Sequence, residues 1–266
     1  MSKHQVLVPL VTPLDAQGAV CRQSVQQLIH SCAGVVSGFI ACLTSGEGWK
    51  LSEQQWADML RYTLEFAGDS HRVVAGIELP STEAVIQRAA LAERLGAKAI
   101  MVTSPFGGQL HQDQLLSHYH RIHEQVPLEL LIYNEAALSG NEKSFETLLQ
   151  IARLPRVTGL KDSPTQPPSQ AQVDRLRSEG IDYFIGWEHQ LAGTLVSDGN
   201  VVSLANIEPT LCRIAAESHQ PAIAGLVEVL DKRYGLGEED WYAHVKRELV
   251  GRGVIGTALT VQERER

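Results

Sequence analysis

Positive charge is in short supply: 23 Lys and Arg against 31 Asp and Glu leave a formal net charge of −8 at pH 7. Nucleic-acid and anionic-membrane surfaces need a basic footprint that releases counterions, so neither partner is expected and small molecules are. No apolar run reaches the roughly eighteen residues that would span a bilayer. Met1-Ser2-Lys3-His4 leads straight into a strand-like segment without a signal-peptide core, which points to a cytoplasmic protein. Cys21, Cys32, Cys42 and Cys212 form no C-x-x-C pair and fall inside predicted helices or strands, as small buried hydrophobes do, rather than as a zinc site. A glycine-rich phosphate loop after an early strand is also missing, and Gly107-Gly108 is too short to be one.

The chain is rich in apolar residues, 44% of the total, enough for a large core. Strand-like runs at 5–11, 38–43, 72–77, 97–103, 128–134, 157–161, 183–186 and 201–204 alternate with helical patterns at 23–33, 53–67, 82–95, 113–125, 144–152, 170–178, 190–197 and 209–218. Runs such as Leu128-Glu129-Leu130-Leu131-Ile132-Tyr133 suit a parallel sheet buried on both faces. The 266 residues match one closed barrel, which takes about 250. The expected fold is therefore α/β, a (β/α)8 TIM barrel over 1–220. A short C-terminal helical appendix over 221–266 follows, with helices at 222–232 and 239–250 and a polar tail at 262–266. An open doubly wound sheet is the alternative, weakened by the missing phosphate loop.

Reactive groups in such barrels sit at the C-terminal ends of the strands. Arg156-Val157-Thr158-Gly159-Leu160-Lys161-Asp162-Ser163 delivers one lysine there. An ordinary lysine titrates near ~10.4, and its amine becomes nucleophilic at neutral pH only if burial lowers that by about three units, at a cost of roughly 4 kcal/mol. The stretch by itself favours a solvated lysine. Thr44-Ser45-Gly46-Glu47-Gly48 ends the second strand, and its small residues can offer N–H groups and hydroxyls to a carboxylate or form a plain turn. Tyr133-Asn134 ends the fifth. Neighbouring parallel strands lie about 4.8 Å apart, so an inward phenol at Tyr133 can reach the Lys161 nitrogen.

Together these segments resemble the dihydrodipicolinate synthase and N-acetylneuraminate lyase family, from Val8-Pro9-Leu10-Val11-Thr12-Pro13 to Val245-Lys246-Arg247-Glu248-Leu249. Thr44-Ser45-Gly46-Glu47, Tyr133-Asn134, Gly159-Leu160-Lys161-Asp162-Ser163 and Gly199-Asn200-Val201-Val202-Ser203, with Asn206 and Pro209, stand where that family has its motifs. The resemblance implies a class I Schiff-base enzyme acting on a 2-oxo acid such as pyruvate, with no metal or organic cofactor. It assigns catalysis to Lys161, Tyr133 and Ser45. Thr44, Ser45, Gly46 and Val202 would bind the substrate.

The departures narrow the reaction. Where the synthases carry two aromatics after Ser104-Pro105, this chain has Phe106-Gly107, so a neighbouring subunit's relay phenol is missing. Leu138 stands where the synthases have an aldehyde-gripping arginine. Glu78, Glu135 and Glu188 follow strands three, five and seven and either rim the mouth or lie on solvated loops. Carboxylates at the rim would select a non-anionic aldehyde partner. Cleavage is favoured over condensation. The alternatives are dehydration or deamination through the same imine, and a silent homologue that only binds the 2-oxo acid. The resemblance implies a homodimer or homotetramer. His118, His120 and His123 lack the i, i+4 spacing of a zinc pair and read as a helix face, while His189 is a pocket candidate and Trp187 either covers the mouth or belongs to the core.

Overall fold

A computed structural model describes residues 4–261; the expected polar tail at 262–266 and residues 1–3 lie outside them. Eight parallel strands close into a barrel in chain order, β1 pairing with both β2 and β8. The strands and the helices between them are β1 (Gln5–Pro9), α1 (Arg22–Cys32), β2 (Gly38–Ala41), α2 (Glu53–Ala67), β3 (Arg72–Ile77), α3 (Thr82–Arg94), β4 (Ala99–Val102), α4 (Gln112–Gln125), β5 (Glu129–Glu135), α5 (Phe145–Ala152), β6 (Val157–Ser163), α6 (Gln170–Arg177), β7 (Asp182–Ile185) and β8 (Gly199–Asn200). Then come α7 (Pro209–Glu217), α8 (Pro221–Tyr234) and α9 (Trp241–Gly251). Serines start several of the helices: Ser52, Ser81, Ser144 and Ser169 each accept from a first-turn N–H, which satisfies an otherwise orphaned donor.

Alternation of side chains along each strand separates two cores. Leu7, Ile40, Val74, Met101, Leu131, Tyr133, Phe184 and Val201 fill the barrel. Their neighbours Val6, Phe39, Val73, Ile100, Leu130 and Ile132 face the helices instead. On β6 the outward residue is Leu160, so Gly159 and Lys161 face inward. A Cβ at Gly159 would come within 3.1 Å of Phe184 and 3.3 Å of Leu131, so the glycine makes room for these side chains one layer below the lysine. Among the described residues no helix is long and apolar enough to cross a membrane.

Two expected elements differ. No helix forms over 190–197; β7 is followed by a single 3-10 turn, Glu188–Gln190, and Ala192 takes a left-handed φ of 56° that interrupts any helix. Helix α8 packs against this turn and takes up the outer face there. The eighth strand is Gly199–Asn200 rather than 201–204, and the chain bends into a second turn at Ser203–Asn206. Asn206 is the cause: its amide donates to Pro9 O (2.9 Å) and accepts from Val11 N (3.1 Å), replacing further ladder bonds to the end of β1. Of the four cysteines, all free, Cys32 and Cys212 lie inside helices, while Cys21 just precedes α1 and Cys42 just follows β2, so these two fall outside helices and strands, contrary to expectation. Helix α9 lies against both the Ser203–Asn206 turn and the Thr44–Gly46 turn, so the appendix touches the C-terminal end of the barrel strands.

Candidate active site

Lys161 and Tyr133 occupy matched positions on the adjacent strands β6 and β5. The Lys161 Nζ lies 3.9 Å from the centroid of the Tyr133 ring. It has no hydrogen-bond acceptor among the described residues, and the side chain is 4% exposed. Burial lowers its pKa from 10.5 to about 8, while Glu78, Glu188 and Glu135 act in the opposite direction. Three carboxyl groups, one after β3, one on β5 and one in the turn after β7, thus favour the charge of one amine without pairing with it. Desolvation outweighs them because the amine is inside the barrel mouth with few donors or acceptors of its own.

Thr44–Gly46 forms a 3-10 turn between two residues in left-handed conformation, Cys42 (φ 61°) and Glu47 (φ 58°). Such non-glycine backbones are costly and persist where surroundings impose them. Here the imposition is visible. Gly46 O accepts from Thr12 Oγ1 at 2.7 Å, a Cβ on Gly46 would meet Leu10 O at 2.7 Å, and one on Gly48 would meet Cys42 O at 2.0 Å. The turn's internal bonds run from Gly46 N and Glu47 N, which leaves the N–H groups of Thr44 and Ser45 outside them. Ser45 Oγ sits 2.8 Å from Ser203 Oγ on the turn after β8. Thr44 Oγ1 is the hydroxyl beside the phenol, 3.3 Å from Tyr133 Oη. Burial, with Glu135 and Glu78 nearby, pushes the phenol's pKa well up, so Tyr133 holds its proton at neutral pH.

The three glutamates are all buried rather than solvated. Glu78 Oε1 lies 2.5 Å from Thr44 Oγ1. Glu135 Oε2 accepts from Leu138 N (2.8 Å), and its Oε1 is buried with no partner. Glu188 Oε1 accepts from Leu204 N (3.1 Å), which ties the turn after β7 to the one after β8. Val202 packs its side chain into the outer core, while Val201 faces the barrel interior, so only the backbone of Val202 is available on the inner side. Asn134 is a clamp: its amide donates to Asp162 Oδ1 (2.8 Å) and accepts from Lys143 N (3.0 Å).

Lys143 escaped sequence reasoning. Its Nζ is buried and donates to Ser104 Oγ (2.8 Å) and Tyr133 O (3.0 Å), which joins the ends of β4 and β5 behind the phenol. Its place in the polar run Gly140-Asn141-Glu142-Lys143 looks like a solvated loop, and no spacing signal marks it. His118 packs between α3 and β4. Thr103 O can only accept, so Nε2 carries the proton and Nδ1 accepts from Thr82, and burial keeps the ring neutral with a pKa of about 3. The indole of Trp187 donates to Pro164 O and stacks on His189 at the mouth.

Known proteins resemble this chain in sequence and in fold. A 4-hydroxy-tetrahydrodipicolinate synthase from Acidiphilium cryptum is 28% identical over 212 residues, covering 79% of this chain and 73% of that one. One from Shigella dysenteriae is 27% identical over 220 residues, covering 80% and 75%. The crystal structure of the chloride-inhibited dihydrodipicolinate synthase from Acinetobacter baumannii, complexed with pyruvate, superposes with a TM-score of 0.85 at 26% identity, covering 97% of this chain and 91% of that one. The family model described as the dihydrodipicolinate synthetase family matches residues 2–228, and the chain belongs to that family.

Proposed function

We propose that this protein is a Schiff-base-forming lyase or aldolase that acts on a pyruvate-type 2-oxo acid and breaks or makes a carbon–carbon bond beside the imine. The observation that carries the reading is the buried, acceptor-free Lys161 Nζ, 3.9 Å from the centroid of the Tyr133 ring. The pyruvate bound in the Acinetobacter baumannii relative supports the substrate class.

The neutral amine attacks the keto carbon, the carbinolamine loses water, and the protonated imine accepts the electron pair of the breaking carbon–carbon bond. Tyr133, which keeps its proton in the resting site, shuttles it between the reacting atoms. Ser45 and Thr44 present two N–H groups, and Ser45 a hydroxyl, to the substrate carboxylate, beside the Gly46 and Val202 backbone. No arginine stands at Leu138, whose N–H is engaged by Glu135, so an incoming carboxylate has no cation there to meet. The unpartnered Glu135 Oε1 instead offers an acceptor to a hydroxyl or amine of the second substrate, with Glu188 in the turn after β7 as a further carboxyl. Cleavage is the favoured direction.

Borohydride reduction in the presence of pyruvate, followed by peptide mass analysis, is expected to place the adduct on Lys161. Failure to trap any 2-oxo acid would leave a silent binder. Turnover with neutral, cationic and anionic aldehydes alongside pyruvate is expected to favour the first two; preference for the anionic aldehyde would sink the acidic-mouth reading.

The rate of imine formation carries a further prediction. With a pKa of about 8, roughly one amine in ten is neutral at pH 7, against a few in ten thousand for an ordinary lysine. The rate should climb steeply with rising pH and level off above pH 8. Continued increase to pH 10.5, the ordinary value, would mean that the amine is in water.

A further inference from the structure

Glu78 follows β3 and is 2% exposed. Its Oε1 is 2.5 Å from Thr44 Oγ1, and its Oε2 is buried without a partner, next to Gly48, where a Cβ would lie 3.0 Å from it. Thr44 has a single hydroxyl proton and two neighbours, Glu78 and Tyr133. When that proton goes to the carboxylate, the oxygen is free to accept from the phenol. A continuous path of hydrogen bonds then runs from the phenol beside Lys161 to a carboxyl of the same chain.

We propose that Glu78, acting through Thr44 and Tyr133, is the proton reservoir of the imine chemistry. This rests on the Schiff-base reading of Lys161. In the pyruvate imine, the C3–H bond breaks; its electron pair becomes the C2–C3 double bond, and the C=N π pair returns to nitrogen. The carbon's proton goes to the Tyr133 oxygen as the phenol's proton passes to Thr44 and the Thr44 proton to the Glu78 carboxylate. One proton leaves carbon, one arrives on Glu78, and the iminium and carboxylate charges are both neutralised. The reverse sequence returns a proton to the enamine after a carbon–carbon bond has been cleaved.

A surface glutamate would be too weak a base for this role. Burial raises the Glu78 pKa to about 8; the Thr44 bond lowers it, Glu135 raises it and Lys161 lowers it. Tyr133 and Glu135 on β5, Lys161 on β6 and the Cys42 thiol after β2 are the titratable groups that face it. A carboxyl poised near the working pH both takes and returns a proton readily.

Glu78→Gln separates a reservoir from a mere anchor, since the amide oxygen still accepts from Thr44 but cannot take up a proton. Two readouts need no second substrate: exchange of the pyruvate methyl protons with solvent deuterium, followed by NMR, and borohydride trapping on Lys161. Trapping in the variant should stay close to wild type, while exchange slows by about 100-fold. At subsaturating pyruvate, the logarithm of the wild-type exchange rate should climb between pH 6 and 8 with a slope approaching about two, because two groups must lose protons, against about one in Glu78→Gln. A wild-type slope of about one would itself overturn the proposal. So would unchanged exchange in a variant that still traps pyruvate, which would make Glu78 an anchor for Thr44, or parallel loss of trapping and exchange, which would place its effect on imine formation itself. Absence of any adduct in the wild type would overturn the imine reading, and this proposal with it.

Discussion

Lys161→Met should eliminate the trapped pyruvate adduct and lower turnover by roughly four orders of magnitude or more, as loss of a nucleophile does. Methionine keeps the unbranched shape and apolar stem of the lysine, so the loss is chemical rather than structural. The same change should stabilise the fold. A fall in pKa from 10.5 to about 8 means that folding disfavours the charged amine, which is worth about 3 kcal/mol. That cost is present in full below pH 8, where both folded and unfolded chains carry the charge, and it fades as pH rises from 8 to 10.5. At pH 7 the variant should therefore unfold roughly 5 °C or more above wild type. A persisting adduct would move the nucleophile elsewhere. Lys143 is the other buried amine with a pKa of about 8, but its Nζ is already committed to Ser104 and Tyr133.

Loss of stability is the larger effect expected at a second lysine. Lys246 on α9 and Glu47 after the Thr44–Gly46 turn are both fully buried and form an ion pair. Lys246 Nζ also donates to Leu259 O (2.8 Å), and Glu47 Oε2 accepts from Val261 N (2.6 Å). The pair therefore laces the segment after α9 to the turn that presents Thr44 and Ser45. Lys246→Met strands a buried carboxylate, which costs about 3–5 kcal/mol. For a chain of this size that lowers the unfolding midpoint by roughly 6–20 °C. Replacing both partners with methionine removes the stranded charge, so the double variant should recover much of the loss. If the single and double variants melt together, the ion pair does not couple the two residues. Affinity for pyruvate should also fall in Lys246→Met, because Glu47 holds its left-handed φ of 58° at the edge of the turn proposed to bind the substrate carboxylate.

Much of the fold was legible because its signals are local. Helix α2 and strand β3 have the limits that periodicity predicts, 53–67 and 72–77. Where prediction failed, a distant partner intervened: Asn206 ended the eighth strand early, and α8 occupies the face where a helix over 190–197 was expected. The site divides in the same way. Motif order alone marked Lys161, Tyr133 and the Thr44–Gly46 turn. Nothing near Glu78 in sequence announced a bond to a threonine 34 residues away.

The chain's order of residues determined by itself the alternation of strands and helices, the family, and a lysine on the inward side of its strand, because each depends on spacing or motif within a short stretch. Closure of the barrel decided the rest. Only there do Glu78, Glu135 and Glu188 leave water together and act on one amine, with Thr44 between a carboxyl and a phenol. Desolvation and short-range hydrogen bonding act through space, so the acidity of these groups arises when the strands meet.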